Sequence, residues 1–433
     1  MSESFNFLAS GSFGLLSFVV ALSIIVFIHE FGHYIIGRWC GIKAEVFSIG
    51  FGPVLVSKTD KQGTKWQIAL LPLGGFVKFL KDEDVSGDLY KSFGTFDGAS
   101  VLSRILTVLA GPMANFILSF VILVIFVLVN GISSDKIQIK RIIDYPFENQ
   151  NLIENDKILS VNGEVVNNLT DYYKLLEVPL LKNDVTYTVE RSGKVLMVTG
   201  PHPFPAIVGS VSLRSAASAS GLMKGDLILE VNETQIFRFS QLQSYVGDTN
   251  DYPLNLKIWR DGKILQISVT PKIVDYPDSS GKFVQRKLIG ITGGSFFELK
   301  RENANVFEAA NIAISQIISI ISGSLNGLKN IIIGAISTCN LQGPIGIAST
   351  TSEAAQQGLA SFVWIIAVLS TAIGLLNLFP IPMLDGGHLI FFGIEALTGR
   401  KPTEKIIQAM SIFGILILFG LMSIALSSDL FCP

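Results

Sequence analysis

Apolar residues are gathered into a few long runs separated by polar segments. Four runs are about as long as the roughly 20 residues that a helix needs to cross a bilayer, and they cover about 13–37, 106–129, 361–379 and 406–426. No basic residue precedes the first run, so it is not a cleavable signal peptide. The pattern predicts a polytopic α-helical membrane protein with four transmembrane helices.

A fifth apolar stretch, 306–325, is interrupted by Glu308, Asn311, Gln316 and several serines. Its length fits another crossing, but its mixed character equally fits an amphipathic helix lying at the membrane interface. Hydropathy leaves both interpretations open, and the chemistry described below favours the interface.

Charged residues return between the second and third runs, where short alternating segments indicate strands. Residues 156–162 resemble residues 226–232, and residues 191–196 resemble residues 260–265, at offsets of 70 and 69. Chance similarity between turn-rich strands is the alternative. Two copies of one small β-rich module explain both matches, and together with the apolar helices they make the fold class mixed α+β.

Composition agrees with a membrane protein, because 49% of residues are hydrophobic and only 16% are charged, against about 25% charged in soluble domains. A net charge of −2 gives no basis for nucleic-acid binding. The cysteines, Cys40, Cys339 and Cys432, are too few and too scattered for a disulfide framework or a thiolate zinc site.

Lysine and arginine predict the orientation. They are concentrated in 38–104 and 393–405 and are absent from 1–12 and 427–433. Because basic loops stay on the cytoplasmic side, four crossings put both termini and the segment 130–360 outside the cytoplasm.

The first apolar run contains the motif His29-Glu30-Phe-Gly-His33. Residues four apart share one face of a helix, so His29 and His33 can bind one metal ion, with Glu30 beside it to accept a proton from water. A chance match is the alternative, but charged residues inside an apolar helix are costly and usually functional.

A hydrolytic zinc site usually takes three protein ligands, and Asp385 is the best third candidate. It follows Pro380 and Pro382, which end the third run, and precedes Gly386 and Gly387. A helix-terminating Asp-Gly turn is the alternative role, and His388 is the rival ligand. A crossing at 306–325 would put Asp385 on the wrong side of the membrane, so that stretch is assigned to the interface.

Together the motif at 29–33, the stretch 377–386 and Gly111-Pro-Met-Ala-Asn-Phe116 resemble the site-two protease family of intramembrane zinc metalloproteases. The resemblance is closest to the bacterial regulator-of-sigma-E subgroup, which has two tandem PDZ domains between its second and third spans. It implies a multi-pass bacterial inner-membrane protein, with both termini and the PDZ domains periplasmic and the active site toward the cytoplasm. The expected regions are a membrane core (1–130), two PDZ domains (131–204 and 205–293), an interfacial helical linker (294–360) and a second membrane half (361–433).

The resemblance also implies roles. Zn²⁺ is held by His29, His33 and Asp385, and Glu30 activates the attacking water. Asn377 hydrogen-bonds the substrate backbone or the developing oxyanion, with a polar packing contact as the alternative.

The segment 66–79 resembles the family's membrane-entering β-loop. It alternates like a hairpin, and its residues Gly74, Gly75, Phe76 and Val77 would dock an extended substrate by backbone pairing. An ordinary cytoplasmic hairpin is the alternative.

Family substrates are single-pass membrane proteins already trimmed outside the membrane, including anti-sigma factors and leftover signal peptides, and the PDZ pair is thought to exclude untrimmed ones by size. We therefore expect a monomer in contact with membrane lipid and with no nucleic-acid partner. Two other hypotheses remain: a transporter that uses His29, Glu30 and Asp385 as a proton relay, and a catalytically silent scaffold.

Overall fold

The structure is a computed structural model that describes residues 2–81, 94–134, 136–147, 149–175, 184–248, 250, 253–277 and 283–432. In chain order the helices are α1 Ser2–Trp39, α2 Val101–Asn130, α3 Leu169–Lys174, α4 Ala216–Ser220, α5 Phe239–Asp248, α6 Val306–Ile332, α7 Pro344–Gln356, α8 Leu359–Asn377, α9 Asp385–Thr398 and α10 Glu404–Phe431. The strands are β1 Ala44–Thr59, β2 Lys65–Phe79, β3 Ile132–Ser133, β4 Ile139–Ile142, β5 Lys157–Val161, β6 Glu164–Val165, β7 Asp184–Arg191, β8 Lys194–Pro201, β9 Val208–Val211, β10 Leu227–Val231, β11 Thr234–Gln235, β12 Leu254–Arg260, β13 Lys263–Val269, β14 Lys272–Pro277, β15 Phe283–Leu288, β16 Ile291–Gly293, β17 Phe297–Leu299 and β18 Arg301–Glu302. These elements form two compact units, Met1–Val127 with Asn305–Cys432, and Leu128–Ala304.

Long apolar helices dominate the first unit. Among the described residues, five are long and apolar enough to cross a membrane: Phe13–Trp39, Val101–Asn130, Val306–Ile332, Leu359–Asn377 and Lys405–Phe431. Four of them coincide with the predicted spans, and the fifth contains the stretch assigned to the interface. The count of four crossings therefore stays a prediction.

The helices α1, α2 and α8 pack side by side through small and polar residues. Ala21 and Ile25 of α1 are buried against Ile366 of α8. The Ser119 hydroxyl of α2 donates to the carbonyl of Ala367 at 2.6 Å. Such contacts are typical of helices packing within a bilayer, because small side chains allow close approach and hydroxyls satisfy buried carbonyls.

The strands β1 and β2 follow α1 and form one sheet. Residues 44–49 lie opposite both 65–68 and 75–79, while 54–59 lie opposite 65–69. The segment 75–79 therefore forms an outer strand. Aromatic side chains of the sheet form a cluster with those of α1, and Phe47 stacks on Trp66 with 4.4 Å between ring centroids.

The second unit contains the two repeated modules. Their four-stranded sheets have the same order, β6-β5-β7-β8 and β11-β10-β12-β13. In each, the repeated aspartate is fully buried and paired with the repeated arginine: Arg191 Nε lies 2.7 Å from Asp156, and Arg260 Nε lies 2.6 Å from Asp226. The sequence repeat therefore corresponds to a repeated structure, because the same ion pair stabilises equivalent turns in the two modules. The assignment of the modules as PDZ domains stays a prediction.

Strand pairing joins the two ends of the second unit. The strands β17 and β18 pair with β4 and β3 at the start of the unit, so the compact unit runs to Ala304, and the expected domain limits stay a prediction. The two modules also share a core, since Leu227 and Trp259 pack with the first module's hydrophobic residues. Such pairings between distant segments leave no local pattern in the sequence.

Two of the three cysteines are joined, which the sequence analysis did not foresee. Cys339 and Cys432 form a disulfide across 93 residues of chain, while Cys40 is free. A single disulfide is not a disulfide framework. The wide spacing of the cysteines in the sequence did not exclude a disulfide, however, because the fold brings the end of α10 next to the segment before α7.

Candidate metal centre

Three side chains meet where α1 passes the start of α9. The Nε2 atoms of His29 and His33 lie 3.2 Å apart, and Asp385 Oδ2 lies 3.2 Å from the first and 3.4 Å from the second. Ligands about 2.0–2.1 Å from a tetrahedral zinc ion are separated by about 3.3 Å. The three atoms are therefore spaced like three corners of a zinc tetrahedron.

Hydrogen bonds fix the histidine rings. His33 Nδ1 lies 2.9 Å from the Thr107 carbonyl, which can only accept, so Nδ1 carries the proton and the Nε2 lone pair faces the centre. His29 Nδ1 lies 3.3 Å from the Asn115 amide nitrogen, while the buried Asn115 Oδ1 has no hydrogen-bond partner. Turning that amide over lets Oδ1 accept from the His29 Nδ1–H. Both imidazoles then offer Nε2 to a metal.

Space for these rings comes from α2. Thr107, Gly111 and Asn115 are four apart and share one face. A Cβ on Gly111 would overlap the His33 ring, so only glycine fits there. In the sequence, this stretch indicated only a resemblance to a family. A buried asparagine in an apolar helix was the signal that could have identified it.

The predicted catalytic and docking residues line one cavity of about 570 Å³ with the three candidate ligands, and they include Glu30, Gly75, Phe76, Val77 and Asn377. The backbone of Val77 lies close to the Glu30 carboxylate. Gly74 does not line the cavity, since the space beside it is filled by the Phe51 ring. The geometry thus brings together every predicted site residue except Gly74.

His388 also lines the cavity, but it is not in the metal-ligand group found among the described residues, which consists of His29, His33 and Asp385. Its ring stacks on Phe392, with 6.4 Å between centroids. The geometry therefore favours Asp385 over His388 as third ligand. The donor set of two imidazoles and one carboxylate suits zinc and leaves a fourth position for water or substrate.

This combination of groups, with both histidines in a helix apolar enough to cross a membrane, defines the class: the protein is a zinc metalloprotease. Comparison with known proteins gives the family. The sequence model of peptidase family M50 matches residues 17–421, and the chain belongs to that family.

Similar proteins cover nearly the whole chain. Relatives named "putative zinc metalloprotease" occur in Agrobacterium fabrum, at 30% identity over 96% of this chain and 95% of the relative, and in Pasteurella multocida, at 32% identity over 95% and 97%. The regulator of sigma E protease of Salmonella typhi is 30% identical over 96% of this chain and 98% of its own.

Proposed function

We propose that this chain cleaves single-pass membrane proteins within or beside the bilayer. The convergence of His29, His33 and Asp385 beside Glu30, on helices apolar enough to cross a membrane, carries the proposal. The transporter hypothesis explains the buried charges but not the zinc-like spacing. The scaffold hypothesis explains neither.

In the proposed mechanism His29, His33 and Asp385 hold the ion. Zinc supplies Lewis-acid polarisation and a lowered pKa for water. Glu30, whose carboxylate faces the cavity, takes the proton from the attacking water and delivers it to the leaving amine. Asn377 ends α8 at the cavity wall, where its amide can donate to the substrate carbonyl and stabilise the oxyanion.

The strand 75–79 is the proposed dock for the substrate. Its inner edge pairs with residues 44–49, and no other described strand pairs with it. Since it also lines the cavity, a substrate added along its outer edge would lie extended beside the metal ligands. An extended backbone is needed because a helical peptide bond is shielded by its own hydrogen bonds.

Contacts around α6 support four crossings. Near its start, Ala313 packs with Leu123 in the last turns of α2 and with Ala367 in the first half of α8. After it, Cys339 is bonded to Cys432, just beyond the end of α10. With four crossings, these ends of α2, α8 and α10 share one side of the membrane. A helix that starts and finishes on one side lies at the interface.

The cysteines support the same orientation. A disulfide persists in an oxidising compartment, which favours the periplasm for Cys339 and Cys432. Cys40, which is free, directly follows α1, the helix of the metal centre. We therefore propose that both termini and the repeated modules are periplasmic and that the centre lies toward the cytoplasm.

The relative in Salmonella typhi, which is named a regulator of sigma E protease, supports a role in sigma-factor signalling. We propose that the substrates here are anti-sigma factors and signal-peptide remnants already trimmed outside the membrane, and that the chain acts as a monomer. The repeated modules, proposed to be PDZ domains, are joined to α2 and α6. We propose that they exclude untrimmed substrates by size.

The test is cleavage, in membranes, of one single-pass substrate with external domains of graded size, with and without a zinc chelator. The intact enzyme should cut only short stubs, and the chelator should stop all cutting. A variant in which a flexible linker replaces residues 131–304 should also cut the larger substrates. If no single-pass substrate is cut, the proposed function is wrong; if the intact enzyme shows no size limit, only the filter is wrong.

A further inference from the structure

An ion pair is buried at the end of the helices remote from the disulfide. Arg104 in the first turn of α2 donates to Glu395 of α9 through both terminal nitrogens, at 2.9 and 2.7 Å. The two side chains are only 6% and 10% exposed. The guanidinium also lies 5.0 Å from the centroid of the Phe392 ring. A bidentate pair held over an aromatic face has one preferred geometry.

The position of the pair links it to the metal centre. The helix α9 begins at Asp385, and Glu395 lies about 15 Å further along the same rigid helix. Arg104 lies less than one turn from Thr107, whose carbonyl orients His33. Fixing Glu395 against α2 therefore fixes where the start of α9 can lie relative to the histidines.

We infer that Arg104 and Glu395 are positioning residues for the zinc site, and that α2, which supplies no ligand, aligns all three. It orients His33 through Thr107, His29 through Asn115, and Asp385 through the ion pair and α9. The third link acts together with the close packing of Gly386 against the Leu378 and Phe379 carbonyls, which places the start of α9 beside the end of α8.

The bonding of the pair favours this role over simple stabilisation. Burying two charges costs about as much as their attraction returns, so an ion pair of this kind adds little net stability over an apolar contact. Its directional hydrogen bonds instead select one arrangement of α9 against α2. The inference rests on the proposed ligand assignment.

The experiment measures zinc affinity of the full-length protein by competition with a chelator. Arg104→Lys keeps the charge but loses the bidentate geometry, and Glu395→Gln keeps the shape but loses the charge. Each should weaken zinc binding about 10- to 100-fold, the usual effect of losing a group that orients a ligand. With saturating zinc, each should lower kcat more than it raises KM. The charge-swapped double variant, Arg104→Glu with Glu395→Arg, should recover at least about tenfold in affinity.

Arg260→Lys is the matched control. It makes the same change in a bidentate pair with Asp226, in the unit that holds no candidate ligand, and should leave zinc affinity unchanged. Folded Arg104→Lys or Glu395→Gln protein with wild-type zinc affinity would overturn the inference, as would a double variant no better than the single ones. If both single variants fail to fold, Phe392→Leu carries the test, and it should weaken zinc severalfold; unchanged affinity would count against positioning.

Asp385→Ala in the same assay tests the ligand assignment separately from the positioning role of Arg104 and Glu395. If Asp385→Ala retains tight zinc, the ligand assignment itself is wrong. If it loses zinc while the Arg104 and Glu395 variants keep it, the ligands stand and only the positioning role fails.

Discussion

Asn115 offers the sharpest test of how the histidines are oriented. It is fully buried, and its amide faces His29 Nδ1 at 3.3 Å. Asn115→Leu keeps the branched shape of the side chain but leaves the His29 Nδ1–H without an acceptor. An unpaired buried donor costs about 1–3 kcal/mol, and loss of a group that orients a metal ligand usually costs 10- to 100-fold in affinity, or about 1.4–2.7 kcal/mol. The cost of the unpaired donor and the expected loss of zinc-binding free energy therefore have similar magnitudes.

The assay is zinc affinity by chelator competition. Asn115→Leu should weaken zinc about 10- to 100-fold, whereas Asn115→Asp should retain it, because a carboxylate also accepts from Nδ1–H. Ser119→Ala is the control: it lies one turn further along α2 and bonds the Ala367 carbonyl instead, so zinc affinity should not change. Wild-type affinity in Asn115→Leu would refute the proposed orientation of His29.

Three further predictions follow from the structure. Asp385→Ala should lose zinc measured by elemental analysis, while His388→Ala should keep most of it; the reverse result would make His388 the ligand. A cysteine replacing Gly262, in protein lacking the native cysteines, should react with a membrane-impermeant label from the periplasm, and labelling only from the cytoplasm would reverse the topology. Burial holds the pKa of His202 down at about 4, against about 6.5 unfolded, so the unfolded state binds more protons between these values and stability falls as pH drops from about 6.5 to 4. The Phe204 N–H, which donates to His202 Nδ1, should then exchange faster in intact protein, and an exchange rate that is unaffected by pH after correction for intrinsic exchange would contradict this.

Local patterns in the sequence predicted the parts of the site that lie close together along the chain. His29, Glu30 and His33 fall within two helical turns, so their spacing alone indicates a shared face. Asp385 was identifiable because Pro380 and Gly386 mark a break at which a carboxylate can turn inward. The repeat was visible because each module needs the same buried aspartate and arginine.

What the sequence did not predict depends on contacts between distant residues. Arg104 and Glu395 are separated by 291 residues, and neither lies in a recognisable motif. Thr107 acts through its backbone carbonyl, which no side-chain pattern marks. The pairing of β17 with β4 depends on the fold bringing the two ends of the second unit together.

The central claim is that this chain is a metal-dependent peptidase in which Glu30 is the base and not a ligand. The most direct measurement compares wild-type and Glu30→Gln protein for zinc content and for cleavage of a trimmed single-pass substrate. Glu30→Gln keeps the shape of the side chain and loses its proton-accepting carboxylate, so it should hold about one zinc ion per chain while its turnover falls at least about 100-fold. Turnover at the wild-type rate by zinc-loaded Glu30→Gln protein would contradict the account.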